Sequence, residues 1–491
     1  MNRLMKMCIG LGVFIVMASG AVANARPLSL RGAWERMAKV GPGYAIAQHR
    51  HQAAMNDHRS KRLSFYLPKL SFNFMVPSFS NNELNQDIPT GDSLNPYRRE
   101  LSTSEMTNLS GALSLSQAVF TGGRLEVSGE LLRQKRIANL SPDFRSDLGG
   151  LNVRFSQPLF QPSTERDALK EARLELRRSD VEYKQARWEA LMAVTRAYGG
   201  WLMAIQDELA ARLEAERTKY EAEAGQAKYE AGSLMEAALI GLQSAALDAE
   251  IEHLDATARR KDAETGLAAE IDWPLGDSLV APDSLPDLDV LLGHGPRLPS
   301  GRDSLAAISK AQLDLETSDF RLRQQKSRGG LDGTLNANWS KQQEDETILA
   351  TDSTSSFNTG RWGVSLQLSI PVWDGGAQRA AVQSAQLAVE ESEANLKKAR
   401  REAENELASA RRRFETFRRK LDLKHQEMVI AGRARSTADR KYEDGLLSEA
   451  EYLESKVTAV KARRGYLEIK RDYIIAYLEV QNLFVHTVPP L

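Results

Sequence analysis

Few side chains in this chain invite a chemical reading. Glu451 and Glu454 stand three apart, on one face of a helical stretch. They are either a solvated coiled-coil surface or, if copies gather around an axis, a ring of carboxylates lining a pore. His49, His51 and His58 cluster near the N-terminus, and 51 and 58 share a helical face. Neither cysteine nor an acidic ligand set accompanies them, so solvated helix histidines are expected rather than a metal site. The sequence contains no HExxH, Walker loop, Gly-x-Ser-x-Gly or Rossmann glycine pattern. These absences argue against an enzyme and imply no cofactor.

Composition narrows the classes further. The 491 residues hold 65 Lys and Arg against 66 Asp and Glu, a balance that does not suggest nucleic acid. Arg3 and Lys6 precede the apolar run Met7 to Ala18, and Ala23-Asn24-Ala25 supplies a small-x-small cleavage pattern, so residues 1–25 read as a signal peptide. Its removal would leave 63 basic residues against 66 acidic, a net charge near −3. It would also remove Cys8, the only cysteine, which lies ahead of the apolar run and is poorly placed for lipidation. No later run reaches the roughly 18 apolar residues of a spanning helix.

The elements that must position these residues occur twice. Pro158-Leu159-Phe160 and Pro371-Val372-Trp373 open two copies offset by 213 residues, and Tyr229-Glu230-Ala231-Gly232 and Tyr442-Glu443-Asp444-Gly445 close them at the same offset. Ala172/Ala385, Ala197/Ala410 and Trp201/Phe414 superimpose in between. Each copy reads as an alternating strand, a sharp turn and a helix of about 65 residues, roughly 100 Å at 1.5 Å per residue. That length favours coiled-coil packing. Gly232 and Gly445 break the pattern as helix C-caps and reversals. A further helical pattern covers Leu28 to Lys61, and Pro274 to Pro299 reads as a connector.

Six segments alternate with period two. They run through Leu70–Phe74, Leu113–Ser116, Leu125–Leu131, Leu151–Ser156, Leu335–Ser340 and Val364–Ile370. One face is apolar; the other carries Ser, Asn, Gln, Glu and Arg. A half-buried soluble sheet would alternate too, but six such strands behind a signal peptide, without a soluble core to cover them, favour a lipid-facing barrel with a polar lumen. Glu126, Glu130 and Arg154 then either line that lumen or are only the polar half of a strand. Phe155, Trp339 and Trp362 are candidates for aromatic girdles. The polar stretches Asn81–Glu100 and Ile137–Asp147 are expected as loops.

In order and spacing these features resemble the TolC family of outer-membrane efflux and secretion channels. The matching residues are Leu67-Pro68-Lys69-Leu70, the strand-to-helix turns Ser156 to Phe160 and Ser369 to Gly376 (with Pro158, Pro371, Asp374, Gly375 and Gly376), the two glycine tips, and Arg471-Asp472-Tyr473 through Leu478. The resemblance covers nearly all of 28–485. It implies a membrane α+β fold, internally duplicated, in which a long α-helical coiled-coil barrel continues an outer-membrane β-barrel and trimerisation completes each. Residues 26–491 would form one interleaved body, with strands within about 65–160 and 331–373, a helical tunnel at about 28–64, 161–273, 300–330 and 374–485, and a connector at 274–299. The implied partners of the homotrimer are a periplasmic adaptor (membrane fusion) protein, an inner-membrane transporter and outer-membrane lipid, with the tunnel in the periplasm.

Two departures from the family pattern stand out. The gap from Pro68 to Pro158 is 90 residues, against 39 from Asp332 to Pro371. The surplus is about one hairpin, placed at Leu109–Arg136 around the turn Thr121-Gly122-Gly123, so six strands per protomer are expected where the family uses four. At the tip, Tyr442 falls where the family places a latch tyrosine, and Glu451 and Glu454 where it places pore-constricting acids. Leu447 stands in the latch arginine's place, however, and Ala238 where the first-half acid would be. The expected function is a passive exit duct of a tripartite efflux pump or type I secretion system. The alternatives are a non-conducting periplasmic coiled-coil scaffold or the adaptor itself, and both leave the amphipathic strands without a purpose.

Overall fold

A computed structural model describes residues 28–485, apart from 90, 92–96, 140, 275–278, 283, 293–295, 297, 300–303 and 329. The segment 1–25 expected as a signal peptide, with Cys8, and parts of the expected connector lie outside the described residues. The elements run α1 (Leu30–Val40), α2 (Pro42–Tyr66), β1 (Lys69–Pro89), β2 (Tyr97–Ala118), β3 (Arg124–Ala138), β4 (Phe144–Pro158), α3 (Thr164–Glu230), α4 (Glu236–Glu270), α5 (Leu288–Leu292), α6 (Ala306–Arg328), β5 (Asp332–Ile348), β6 (Ser353–Ser369), α7 (Ala377–Glu443) and α8 (Glu449–Asn482). The helices α3 and α7, one in each copy, are both 67 residues long.

The single helix expected over Leu28–Lys61 is in fact two. A Cβ on Gly41 would stand 2.6 Å from the Met37 carbonyl oxygen, and Pro42 has no N–H to continue the ladder. Proline is instead well suited to the first turn of the new helix, which runs on to Tyr66.

The six strands form one antiparallel sheet in chain order, β1 to β6. Its register lines up the alternation seen in each strand. One transverse row reads Leu70, Leu115, Val127, Val153, Trp339, Trp362; the row beside it, on the opposite face, reads Ser71, Ser114, Ser128, Asn152, Ser340, Arg361. The segment 109–136 enters this sheet as paired parts of β2 and β3, turned at Gly122 (φ +98°) with a Gly122 N–H bond to the Val119 carbonyl of 2.8 Å. The stretches expected as loops, Asn81–Glu100 and Ile137–Asp147, are largely strand. β1 and β2 continue as an extended hairpin with Asn81 opposite Glu105 and Asp87 opposite Arg99, and β3 and β4 reach Ala138 and Phe144. Polar side chains do not prevent a strand whose backbone is paired by a neighbour, so polarity alone misplaced these ends.

The chain clusters into two compact units. One holds, among described residues, 28–36, 194–292 and 424–471. Its buried residues include two groups. Leu30, Ala33 and Trp34 are fully buried, with the Trp34 indole N–H donating to Thr195 Oγ1 at 3.1 Å and the Tyr198 hydroxyl to the Leu28 carbonyl at 2.6 Å. Farther along, Ala210 and Leu213 of α3 pack with Leu453, Val457 and Val460 of α8. The other unit holds 37–193, 296–423 and 472–485, including the sheet. Its helical core joins Leu305 and Ile308 to Ala403, Leu407, Ala410, Val480 and Phe484, and Phe414 stacks on Tyr473 at 5.0 Å. The spacing of Leu407, Ala410 and Phe414 is the 3-4 stripe of a long packed helix.

Candidate functional site

Two regions carry the residues singled out above: the helix-reversal tips and the faces of the sheet. Both tips close by one motif. At the first, Gly232 (φ +71°) donates to the Tyr229 carbonyl at 2.8 Å and Ser233 N–H to Lys228 at 2.8 Å; at the second, Gly445 (φ +69°) donates to Tyr442 at 3.0 Å and Leu446 N–H to Lys441 at 2.8 Å. This pair of bonds around a left-handed glycine is a Schellman closure, which a residue with a Cβ makes only under strain.

Beyond the glycines the tips differ. Ser448 N–H and Oγ both donate to Glu451 Oε2, at 3.0 and 2.6 Å, and Glu451 N–H returns a 3.3 Å bond to Ser448 Oγ. This reciprocal pair is a capping box at the start of α8. These bonds from Ser448 hold the Glu451 carboxyl below its ordinary pKa. The first tip offers only Met235 and Ala238 at the matching positions, and Met235 makes no side-chain cap. Its tight feature is Gly225, where a Cβ would meet Leu242 at 2.5 Å.

Tyr442 donates its hydroxyl to Glu449 and stacks on Tyr452 at 4.3 Å, with Lys456 Nζ 3.9 Å above the Tyr452 ring. The bond to Glu449 raises the Tyr442 pKa. Tyr229 is 39% exposed, and Leu447 is half-buried. Glu454 is exposed and close enough to act electrostatically on Arg217, whose pKa is raised first by its bond to Glu214, at 2.5 Å, and less by Glu221 and Glu454. The S-x-x-E pattern at 448–451 was a readable signal for the cap. The bonds of Tyr442 to Glu449 and of Arg217 to Glu214 and Glu221 were not singled out in the sequence.

Acid should therefore loosen the second tip. Glu451 has a lowered folded pKa, so its cap contributes above the unfolded value of about 4.3 and is lost as pH falls through the folded value. Amide exchange over 446–452 is expected to accelerate below that range at matched intrinsic rates, and Ser448→Ala should give the same acceleration at neutral pH. Exchange insensitive to both would show the box to be idle.

The strand-to-helix turns are also unequal. Asp374 accepts from Gly376 N–H at 2.9 Å and Gln378 N–H at 2.8 Å, which lowers its pKa, while Gly375 and Gly376 take φ of +68° and +88°. In the other copy β4 ends on Pro158 and Ser163 supplies the cap, accepting from Arg166 N–H at 3.2 Å. Pro371 lies between β6 and α7, outside both.

On the polar face of the sheet, Glu126 lies opposite Arg154, and Glu130 opposite Gly150. On the apolar face Phe72, Leu131, Leu151, Trp339 and Trp362 are all exposed. The histidines do not come together. His51 stacks on Tyr183 at 4.9 Å, with Nδ1 3.3 Å from Ser179 Oγ, whereas His49 is exposed. His51 is thus a packed residue rather than the solvated one expected. Burial, and then the 2.9 Å bond to Tyr44, push the Tyr183 phenol up to about 12.

Comparison with known proteins agrees with this architecture. No curated protein sequence matches significantly. Among solved structures, the CmeC outer membrane channel of Campylobacter jejuni is similar at 14% identity, covering 93% of this chain and 85% of that one, with a TM-score of 0.57. The outer membrane protein VceC of Vibrio cholerae shares 17% identity over 92% of this chain and 95% of its own, TM-score 0.55. The open-state MtrE outer membrane channel of Neisseria gonorrhoeae shares 15% over 92% and 88%, TM-score 0.57. These likenesses establish the fold. The family model for the outer membrane efflux protein matches residues 125–271 and 302–484, well over half of the chain and both copies of the duplication. The chain belongs to the outer membrane efflux protein family.

Proposed function

We propose that this chain is the outer-membrane channel-tunnel of a tripartite efflux pump or type I secretion system, a passive exit duct assembled as a homotrimer. One observation carries the reading: a six-stranded sheet, apolar on one face, with an unpaired edge on β1 and on β6. Lipid tolerates no open sheet edge, so the sheet must close on other copies. Three copies of six strands give an eighteen-stranded barrel, the size class that leaves an aqueous lumen. Glu126, Glu130 and Arg154 would line it. A non-conducting scaffold or an adaptor has no use for the apolar face.

The duct itself has no energy source, so a periplasmic adaptor would engage the tips and couple them to an inner-membrane transporter. Conductance of purified protein in planar bilayers, together with its mass in mild detergent, tests the proposal. A trimer with discrete channels is expected; a folded monomer, or a trimer that never conducts, would sink it. Leu115 and Val127 face one another on the apolar side. Cysteines there should react with lipid-soluble maleimide and resist aqueous maleimide, and rapid aqueous labelling would place the hairpin outside the membrane.

At the tip, three copies of Glu451 and Glu454 would surround the axis as six carboxylates. Crowded like charges resist full ionisation and attract cations, an effect screened over roughly 10 Å at 0.1 M salt. Glu451 keeps its charge within its own cap, and Arg217 partly offsets that of Glu454. With Leu447 and Ala238 in place of a polar latch, closure rests on apolar packing. Replacing both glutamates by glutamine should reduce cation selectivity and multivalent-cation block while the trimer persists. Unchanged reversal potentials would leave these residues as solvated helix surface.

A further inference from the structure

The apolar face of the sheet is not uniform. Its row at Phe74 continues through Gly111, Leu131, Gly149 and Gln343, so bulky and absent side chains alternate across the sheet. The result is a groove of about 700 Å³ with walls of Phe72, Phe74 and Leu131 and a floor at the two glycines. The backbone does not require glycine at either place. Neither has a positive φ, and an added Cβ would make only ordinary contacts, 3.7 Å from Phe72 at Gly111 and 3.6 Å from Leu131 at Gly149. The fold would accept side chains there, yet the groove is left open.

The rim is of opposite character. The next outward-facing row carries Arg133 and Asp147, joined at 2.5 Å, and Arg145 reaches the same Asp147 at 3.3 Å. One carboxylate thus holds two guanidinium groups side by side. Lys135 lies opposite Arg145 in register, and Asp345 opposite Asp147. Rows on one face are two residues apart, roughly 7 Å along a strand, so the change from apolar to charged falls directly over the groove. On a lipid-facing barrel that change marks the boundary between hydrocarbon and headgroups. It lies toward the β1–β2 and β3–β4 hairpin ends of the strands, away from the helices that follow Pro158 and Ser369.

Building on the membrane reading above, we infer that this groove binds a phosphorylated, multiply acylated glycolipid of the outer leaflet, one acyl chain lying over Gly111 and Gly149 and a phosphate on Arg133 and Arg145. Guanidinium groups suit phosphate because they present paired donors in a plane. A chain in the groove would meet Phe72 and Leu131 without displacing a side chain.

The test places purified protein in phosphatidylcholine nanodiscs containing a minor fraction of either bis-phosphorylated lipid A or phosphatidylglycerol, with bound lipid counted by native mass spectrometry. Wild type should retain lipid A in preference to both phospholipids. Gly111→Leu with Gly149→Leu, which fills the floor, and Arg133→Gln with Arg145→Gln, which strips the rim, should each lower retention about tenfold. Equal retention by all variants, equal retention of phosphatidylglycerol, or displacement by inorganic phosphate alone would overturn the inference. Conductance of the same preparations separates the two proposals. A conducting protein without lipid preference sinks only this one, whereas a protein that never inserts sinks the duct reading and this one with it.

Discussion

Val153→Arg should block insertion into bilayers. Val153 lies in the row from Leu70 to Trp362, between Val127 and Trp339. A charge near mid-membrane on the lipid face of a barrel costs about 2–4 kcal/mol per copy, and a trimer would carry three. The measurement is the fraction folded into phospholipid vesicles, read as protease-resistant strands over a denaturant series. Asn152→Arg, one residue away on the opposite face, is the control; it should insert normally and shift ion selectivity toward anions. Equal losses for the two substitutions would mean that the faces are not distinguished by lipid.

Trp34→Ala should have the largest effect on the helical part of the chain. Trp34 is fully buried, as are Leu30 and Ala33 beside it, and its indole N–H is bonded to Thr195. Truncating a buried aromatic of this size costs about 3–5 kcal/mol. Trp34→Phe keeps most of the volume and loses chiefly the hydrogen bond, about 1 kcal/mol. The two should therefore separate clearly in denaturant midpoint. If alanine costs no more than phenylalanine, α1 is not seated as a core element.

Much of the architecture was legible because it is periodic and repeated. The offset of 213 residues paired Trp201 with Phe414 and Gly232 with Gly445, and both members of each pair serve alike, as buried aromatic or as left-handed cap. The six strands could be found because an alternating face is a local signal that survives without knowledge of the partner strand. Strand ends were not legible. Asn81 to Pro89 looks like loop until β2 is known to lie beside it, and pairing is not local information. The helix break at Gly41-Pro42 was visible as residues but was read through, because helix-compatible residues continue on both sides of it.

The tip shows the same limit. Glu451 and Glu454 look equivalent in sequence, three apart on one face. Their surroundings differ: Glu451 bonds Ser448, while Glu454 faces the Arg217 cluster of a helix more than two hundred residues earlier. Spacing within one helix locates a charge, but only the packing of a second helix says what neutralises it.

The unequal capping of the two tips has a mechanical consequence. The second is stiffened by the Ser448–Glu451 box and the Tyr442–Tyr452 stack, whereas the first has neither and begins α4 on an uncapped, exposed Met235. Around a threefold axis the six reversals would alternate between compliant and rigid, so an iris built from them would have three hinged leaves set between three fixed posts. Force applied at the rim would then fold the Met235 leaves first, and the opening would pass through a three-lobed shape before becoming round.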